Sequence, residues 1–365
     1  MKRVTSVVLG GFLAWCTATA SVASSTANVD VCFVLDTTGS MSGMIHSAKT
    51  KIWYIANQIA SAKSQQADVR FCLVAFRDRG DAYVTQYTPL TDDLDSIYST
   101  LMQLRAAGGG DTPESVNQAL YEAVTRPHWR SSKNTLKIIY LVGDAPPHTD
   151  YQDDVPYLES ARIAVQRGIF INTIQAGIDS NTRYAWQEIA RFGQGHYAAI
   201  AQDAQTTTIA TPYDQDLQQL NRDLGQTIIP YGSEDTRGMV MSKQSAAESM
   251  AAPAMSDRLS YNAKTGRSVQ GGGDLLDEMK RKRVSRESVR KDQLPVALQS
   301  MPKPELDKYV ATQSAKRDNI QGKINELVKK RDIYIASKSK NIGSEFDQEI
   351  VRSLKSQAAK VGIKY

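Results

Sequence analysis

The sequence predicts an α/β fold: a doubly wound, mostly parallel sheet with helices on both faces, followed by a flexible linker and a helical C-terminal region. Three observations lead there. Short runs rich in β-branched and aromatic residues alternate with amphipathic stretches as far as residue 230. Those runs are apolar without strict alternation, the pattern of strands covered on both faces. Beyond residue 230 the aliphatic clusters thin out and basic residues take over.

Taken in order, residues 29–35 (VDVCFVL) read as the first strand and stop at Asp36. A helix follows over 42–63, with Ile45, Ala48, Ile52, Ile55, Ala56 and Ile59 on one stripe. Residues 69–76 (VRFCLVAF) form the next strand and 83–87 a short one, before helices over 95–105 and 114–125. The most apolar strand, 136–142 (LKIIYLV), ends just before Gly143-Asp144. Then come a helix at 158–167, a strand at 169–176, a helix at 182–192 and a strand at 196–200. A closing helix spans 215–227, with Leu217, Leu220, Leu224 and Ile228 on its stripe. Strands alternating with such helices build a largely parallel, Rossmann-like sheet. Ligands bind such sheets at the carboxyl ends of the strands, and Asp36 and Asp144 each directly follow one.

Apolar residues make up 41% of the 365-residue chain and charged residues 23%, enough hydrophobe for a core and too much for a chain disordered throughout. Lys2 and Arg3 precede an apolar run from Val7 to Trp15 and small residues through Ser25, the layout of a secretory signal peptide over 1–23. Trp15 before Cys16 argues against a lipoprotein signal. The expected location is therefore the periplasm of a bacterium or the exterior, with no transmembrane span in the mature chain. Cleavage would leave Cys32 and Cys72, either disulfide-bonded or buried as thiols. Residues 28–230 read as one domain, 231–273 (Ser, Ala, Met, Gly and Gln) as a flexible linker, and 274–365 as a basic helical region. Residues 24–230 hold 16 Lys and Arg against 22 Asp and Glu, net −6, and 231–365 hold 26 against 17, net +9. That asymmetry suggests two regions with different jobs.

Three loops carry the chemistry: Asp36-Thr37-Thr38-Gly39-Ser40, Gly108-Gly109-Gly110-Asp111-Thr112-Pro113-Glu114, and Gly143-Asp144-Ala145-Pro146-Pro147. Asp36, Thr38 and Ser40 occupy alternate positions, which in an extended segment face one side. Thr112 and Asp144 add two more oxygens. Five oxygens without Cys or His suit a hard cation, Mg²⁺ first, with Mn²⁺ or Ca²⁺ as alternatives. In this set the sequence resembles the von Willebrand factor A domain family and its metal-ion-dependent adhesion site. The family pattern is Asp-x-Ser-x-Ser with a distant Thr and a distant Asp; here Thr38 replaces the first Ser and keeps its hydroxyl. The resemblance covers about 28–230, and its wording (DTTGSM, GGGDTPE, GDAPP) is closest to the bacterial and extracellular branch. It implies that Thr38, Ser40 and, in the binding-competent form, Thr112 touch the metal, while Asp36 and Asp144 act partly through water. An ion held mainly by neutral hydroxyls attracts an Asp or Glu carboxylate of a partner protein, giving an adhesion or protein-binding function. The family also implies that the closing helix shifts on ligand binding. The alternative is an envelope assembly protein in which the metal only stabilises the domain and the basic helices associate.

The remaining candidates have plainer readings. His148 is expected in a solvated loop, with the rim of the site as the alternative. Arg79-Gly80-Asp81 spells an integrin-recognition tripeptide but reads as a turn, and Asp150, Asp153 and Asp154 as a solvated acidic loop. Asp92, Asp93 and Asp95 suit the positive end of a helix. No GxSxG, HExxH or GxxxxGK[ST] occurs, so neither an enzyme nor a nucleotide-binding protein is expected. The run Lys280-Arg281-Lys282-Arg283 is of the kind that binds nucleic acid or anionic lipid, but in a chain expected to be exported it reads as a solvated face or a processing site, with no nucleic-acid partner. Long helices over 305–336 and 346–361, with thin apolar stripes, suggest a hairpin or docking onto a partner or onto the first domain.

Overall fold

The computed structural model describes residues 27–60, 67–200, 209–342 and 345–365; the signal peptide expected at 1–23 lies outside the described residues. Strand β1 (Ala27–Asp36) leads through a 3-10 turn (Gly39–Gly43) into α1 (Ile45–Ala60). There follow β2 (Ala67–Phe76), β3 (Thr85–Thr91), α2 (Leu94–Gln103), α3 (Val116–Thr125), β4 (Thr135–Gly143), α4 (Tyr157–Gln166), β5 (Ile169–Ala176), α5 (Ser180–Phe192) and β6 (Gln194–Ile200). The sheet order is β3-β2-β1-β4-β5-β6, with β3 antiparallel to β2 and the other neighbours parallel. Alternate residues of β1 feed opposite cores: Phe33 and Leu35 pack with α1 and α2, Cys32 and Val34 with α3, α4 and α5. This is the doubly wound sheet that the apolar strands require, since neither face can be left to water. Cys32 and Cys72 stand opposite each other on β1 and β2 as free, buried thiols. Strand order reverses between β1 and β4, so the topological switch point lies where Asp36 and Asp144 emerge.

Seven further helices follow among the described residues: α6 (Asp214–Gly225), α7 (Glu234–Glu248), α8 (Ala252–Thr265), α9 (Leu275–Lys280), α10 (Val296–Gln299), α11 (Lys303–Ile342) and α12 (Glu345–Lys360). Two expectations fail here. Residues 231–273 are not a flexible linker, because α7 and α8 occupy most of the segment and α8 buries Met255, Leu259 and Tyr261. A composition poor in aliphatics misled, since Ala and Met are strong helix formers and a few large side chains suffice to dock a helix. Nor does α6 close the sheet. Its Leu217 and Leu224 pack against Met255 and Leu259 of α8 and Ile320, Ile324 and Val328 of α11.

The sheet is covered instead by α12, whose Ile350, Leu354 and Ala358 join the same cluster as Phe33 and Tyr140. Polar contacts fix the seat. The amides of Asn172 on β5 and Gln357 exchange hydrogen bonds of 3.1 and 2.8 Å, and His196 Nδ1 of β6 lies 2.8 Å from Glu349 Oε1. Beyond the helix, Tyr365 Oη donates to the Ile59 carbonyl of α1 at 2.7 Å. Among the described residues no helix is long and apolar enough to cross a membrane.

Candidate functional site: a chain of carboxylates and hydroxyls

The three loops are joined by their backbones. Gly39 N donates to Gly108 O and Ala107 N to Thr37 O, tying the first loop to the second. Glu114 N donates to Pro146 O and His148 N to Glu114 O, tying the second to the third. Arg77 strengthens the first junction, its guanidinium donating to the carbonyls of Thr37 and Arg105. The approach is close enough to demand glycine. Gly109 has φ +70°, and a Cβ there would stand 2.8 Å from Glu114 Oε1 and 3.1 Å from Thr38 Cβ.

Four of the five residues singled out from sequence form one hydrogen-bonded chain. Thr38 N and Oγ1 both donate to Asp36 Oδ1, at 2.9 and 2.7 Å. Thr38 Oγ1 lies 3.0 Å from Ser40 Oγ, which donates to Asp144 Oδ1 at 2.9 Å. Thr112 stands apart: it is exposed, its peptide bond to Pro113 is cis, and among the described residues no hydrogen bond joins it to the other four. Pro113 precedes α3 by three residues instead of opening it, because the chain first bridges to Pro147 at Glu114.

The electrostatics of this cluster are unbalanced. Asp36 is fully buried and its Oδ2 has no hydrogen-bond partner. Burial, assisted by repulsion from Asp144, pushes its carboxyl up to about 7, and burial raises Asp144 as well. Sequence reasoning missed Glu114. It is 2% exposed, its Oε2 has no partner, and burial with repulsion from Asp36, Asp78, Asp81 and Asp144 pushes it up to about 8. The only sequence signal for Glu114 was its place in the same loop as Thr112. Buried carboxylates with unpaired oxygens are costly unless a proton or a cation neutralises them. Two carboxylates with hydroxyls between them form a donor set for a hard divalent ion. Among the described residues no group of three or more His, Cys, Asp or Glu side chains is placed to hold a metal ion.

The neighbouring residues act as supports. Asp81 Oδ2 accepts from Gly109 N at 2.9 Å, and Arg79 pairs with Asp153 and Asp154 at 2.9 and 2.8 Å while lying over the Tyr151 ring. The Arg79-Gly80-Asp81 tripeptide thus props the glycine loop. Asp154 is nearly buried in its pair, so the acidic loop is only partly solvated. His148 is not a solvated loop histidine: it is 5% exposed, stacks on Tyr151, and places Nδ1 2.8 Å from Asp150 and Nε2 3.4 Å from Asp78.

The family model described as von Willebrand factor A domain matches residues 30–212. Human von Willebrand factor A domain-containing protein 7 is 40% identical over 117 residues, 32% of this chain and 12% of that protein. A putative ariadne-like RING finger protein of Acanthamoeba polyphaga mimivirus is 32% identical over 123 residues, 33% of this chain and 11% of its own length. The chain thus spans only a small part of these relatives. Among solved structures, proximal thread matrix protein 1 from the mussel byssus, with a zinc-occupied MIDAS motif, is 15% identical with a TM-score of 0.38, covering 50% of this chain and 43% of that one. The family match spans half of the sequence and contains all three loops: this chain belongs to the von Willebrand factor A domain family.

Proposed function

We propose that this protein binds a partner protein by capturing one of its Asp or Glu carboxylates through a divalent cation held by Asp36, Thr38, Ser40 and Asp144, with Thr112 joining them in the binding-competent form. Glu114 lies buried beside them. The observation that carries the reading is the buried, unpartnered Asp36 Oδ2 at the head of a continuous Asp–Thr–Ser–Asp chain of oxygens. A cation bound there, Mg²⁺ in the simplest case, supplies positive charge and an exchangeable coordination position. The residues do the rest: hydroxyls leave the charge largely unneutralised, and the buried carboxylates keep the ion from leaving. Binding, without turnover, is the function, exercised in the periplasm or outside the cell after removal of residues 1–23.

The assembly alternative relies on free cations in the second half. Five of the 26 cations of residues 231–365, Lys243, Arg258, Arg267, Arg317 and Arg331, are paired with acids of this same chain, so that part of the basic charge serves the fold. Calorimetric titration of the purified chain with Mg²⁺, Mn²⁺, Ca²⁺ and Zn²⁺ tests the binding reading. Saturable binding of one ion, abolished by Asp36→Ala, is expected; no uptake of any of the four would overturn the proposal. N-terminal sequencing of the exported protein tests the leader, with a mature start near residue 24 expected.

A further inference from the structure

We infer that the amino edge of the sheet, opposite the three loops, is a docking surface for anionic lipid headgroups, centred on the turn Arg281-Lys282-Arg283. This surface is independent of the metal-mediated reading and lies at the other pole of the domain.

The basic run from Lys280 to Arg283 is not a helix face. It is the turn that ends α9, closed as a Schellman motif: Lys282 N donates to Met279 O and Arg283 N to Glu278 O. Lys282 therefore takes φ +59°, the left-handed backbone that glycine ordinarily supplies at this position. A lysine there strains the turn and keeps a charge that glycine would remove. Arg281, Lys282 and Arg283 are all exposed. Lys280 turns toward Gln321 and Asp318, and Arg283 stands 3.7 Å from Glu278. Among the described residues Arg281 and Lys282 form no ion pair.

Sheet topology sets this turn at the amino edge. β3 runs antiparallel to β2 with Thr91 beside Phe71, so Asp92 emerges at the end where β1, β2 and β4 begin. Arg267 is anchored on Asp92 by contacts of 2.7 and 3.0 Å. Arg281 lies in the same field. Burial, then repulsion from Arg267 and Arg283, hold its guanidinium below the ordinary value against the attraction of Asp92 and Asp68. Asp68 links the turn to the sheet, because it also pairs with Arg130 at 3.0 Å. Arg130 and Arg70 in turn share the buried Asp30. These six cations meet four carboxylates, Asp30, Asp68, Asp92 and Glu278, while the neighbouring Asp93 and Asp95 are matched by Lys243 and Arg258. The surplus is positive and faces water.

An array of cations spread over strand starts and one turn suits a plane of phosphate headgroups, to which each Lys or Arg near the surface adds attraction. The exposed aromatic side chains, Tyr121, Tyr184 and Phe192, lie in other segments, so the edge lacks the stacking platform that single-stranded nucleic acid uses. Asp36 and Asp144 leave the opposite ends of β1 and β4, so a membrane bound here leaves the three loops uncovered.

Sedimentation with phosphatidylglycerol or phosphatidylcholine vesicles tests the inference, using the chain from residue 24 so that the apolar run Val7 to Trp15 takes no part. Binding to phosphatidylglycerol vesicles alone is expected, lost at high salt and retained in EDTA and in Asp36→Ala. Arg281→Gln/Lys282→Gly should weaken it roughly twentyfold, each cation near an anionic surface counting for about fivefold. Its melting temperature should stay level or rise, because glycine relieves the left-handed turn. No binding to either vesicle, equal binding to both, affinity unchanged in the double variant, or stronger retention by duplex DNA overturns the lipid assignment, and each leaves the metal reading intact.

Discussion

Asp36 and Glu114 are acids that folding places where ionisation is unfavourable. Their ordinary values of 3.8 and 4.5 rise to about 7 and about 8. Between these limits the folded chain holds protons that the unfolded chain has released. Their contribution to stability is thus complete below about pH 4 and is lost as pH rises through 7 to 8. A tenfold change in proton affinity is about 1.4 kcal/mol, so the loss is on the order of several kcal/mol. The melting temperature of the chain in EDTA should fall between pH 5 and 8. Millimolar Mg²⁺ should flatten that fall, and so should Asp36→Asn without metal. A slope untouched by both treatments would show that these carboxylates are not the source. At neighbouring Gly109, Ala would meet both a positive φ and a 2.8 Å approach to Glu114. Gly109→Ala should weaken metal uptake more than it lowers the melting temperature, as measured by titration and thermal scan side by side.

At the scale of elements, acids and bases of the two halves of the chain are matched. Asp92, Asp93 and Asp95 sit at the start of α2, and Asp93 does cap it by accepting from Ser96 N. Helix capping is the smaller part of their work. Asp92 pairs with Arg267, Asp93 with Lys243 of α7, and Asp95 makes a two-pronged pair at 2.7 Å with Arg258 of α8. Arg258 and Asp95 are both buried. Removing one partner strands the other in low dielectric, at a cost of about 3–5 kcal/mol, whereas an apolar replacement of both is far milder. Denaturant midpoints should therefore drop sharply for Arg258→Met and recover in Arg258→Met/Asp95→Leu. Lys330→Ala, which breaks an exposed pair with Glu326, should change stability by less than about 1 kcal/mol. The opposite net charges legible in the sequence thus become contacts within one molecule, a use that charge counts alone do not reveal.

For the whole molecule, the seating of α12 on the sheet makes the second half part of the first domain's core. Ile350, Leu354, Ala358 and Ile363 are each less than a tenth exposed. Uncovering an aliphatic side chain of this size costs about 1.5–3 kcal/mol, before correction for compactness of the unfolded chain. A chain ending at residue 342 should lose most of its stability, bind a hydrophobic dye and self-associate in sedimentation. A peptide of residues 345–365 added in trans should reverse part of this. An unchanged melting temperature would show that α12 is dispensable. Cutting at residue 230 is accordingly a poor way to isolate the site, since it strips a face of the sheet.

The sequence by itself determined the alternation of strands and helices through residue 200, because buried parallel strands and amphipathic helices each leave a local periodic mark. It also located Asp36, Thr38, Ser40 and Asp144, since residues that directly follow a buried strand must fall on the sheet's carboxyl edge. Tertiary structure alone decided that α12 and not α6 covers the sheet, that α7 and α8 replace a linker, and that Glu114 is buried beside the site. It also set Thr112 apart from the other four residues. Those outcomes depend on which distant surfaces meet, and a helix stripe or a carboxylate carries no record in its own sequence of the partner that will bury it.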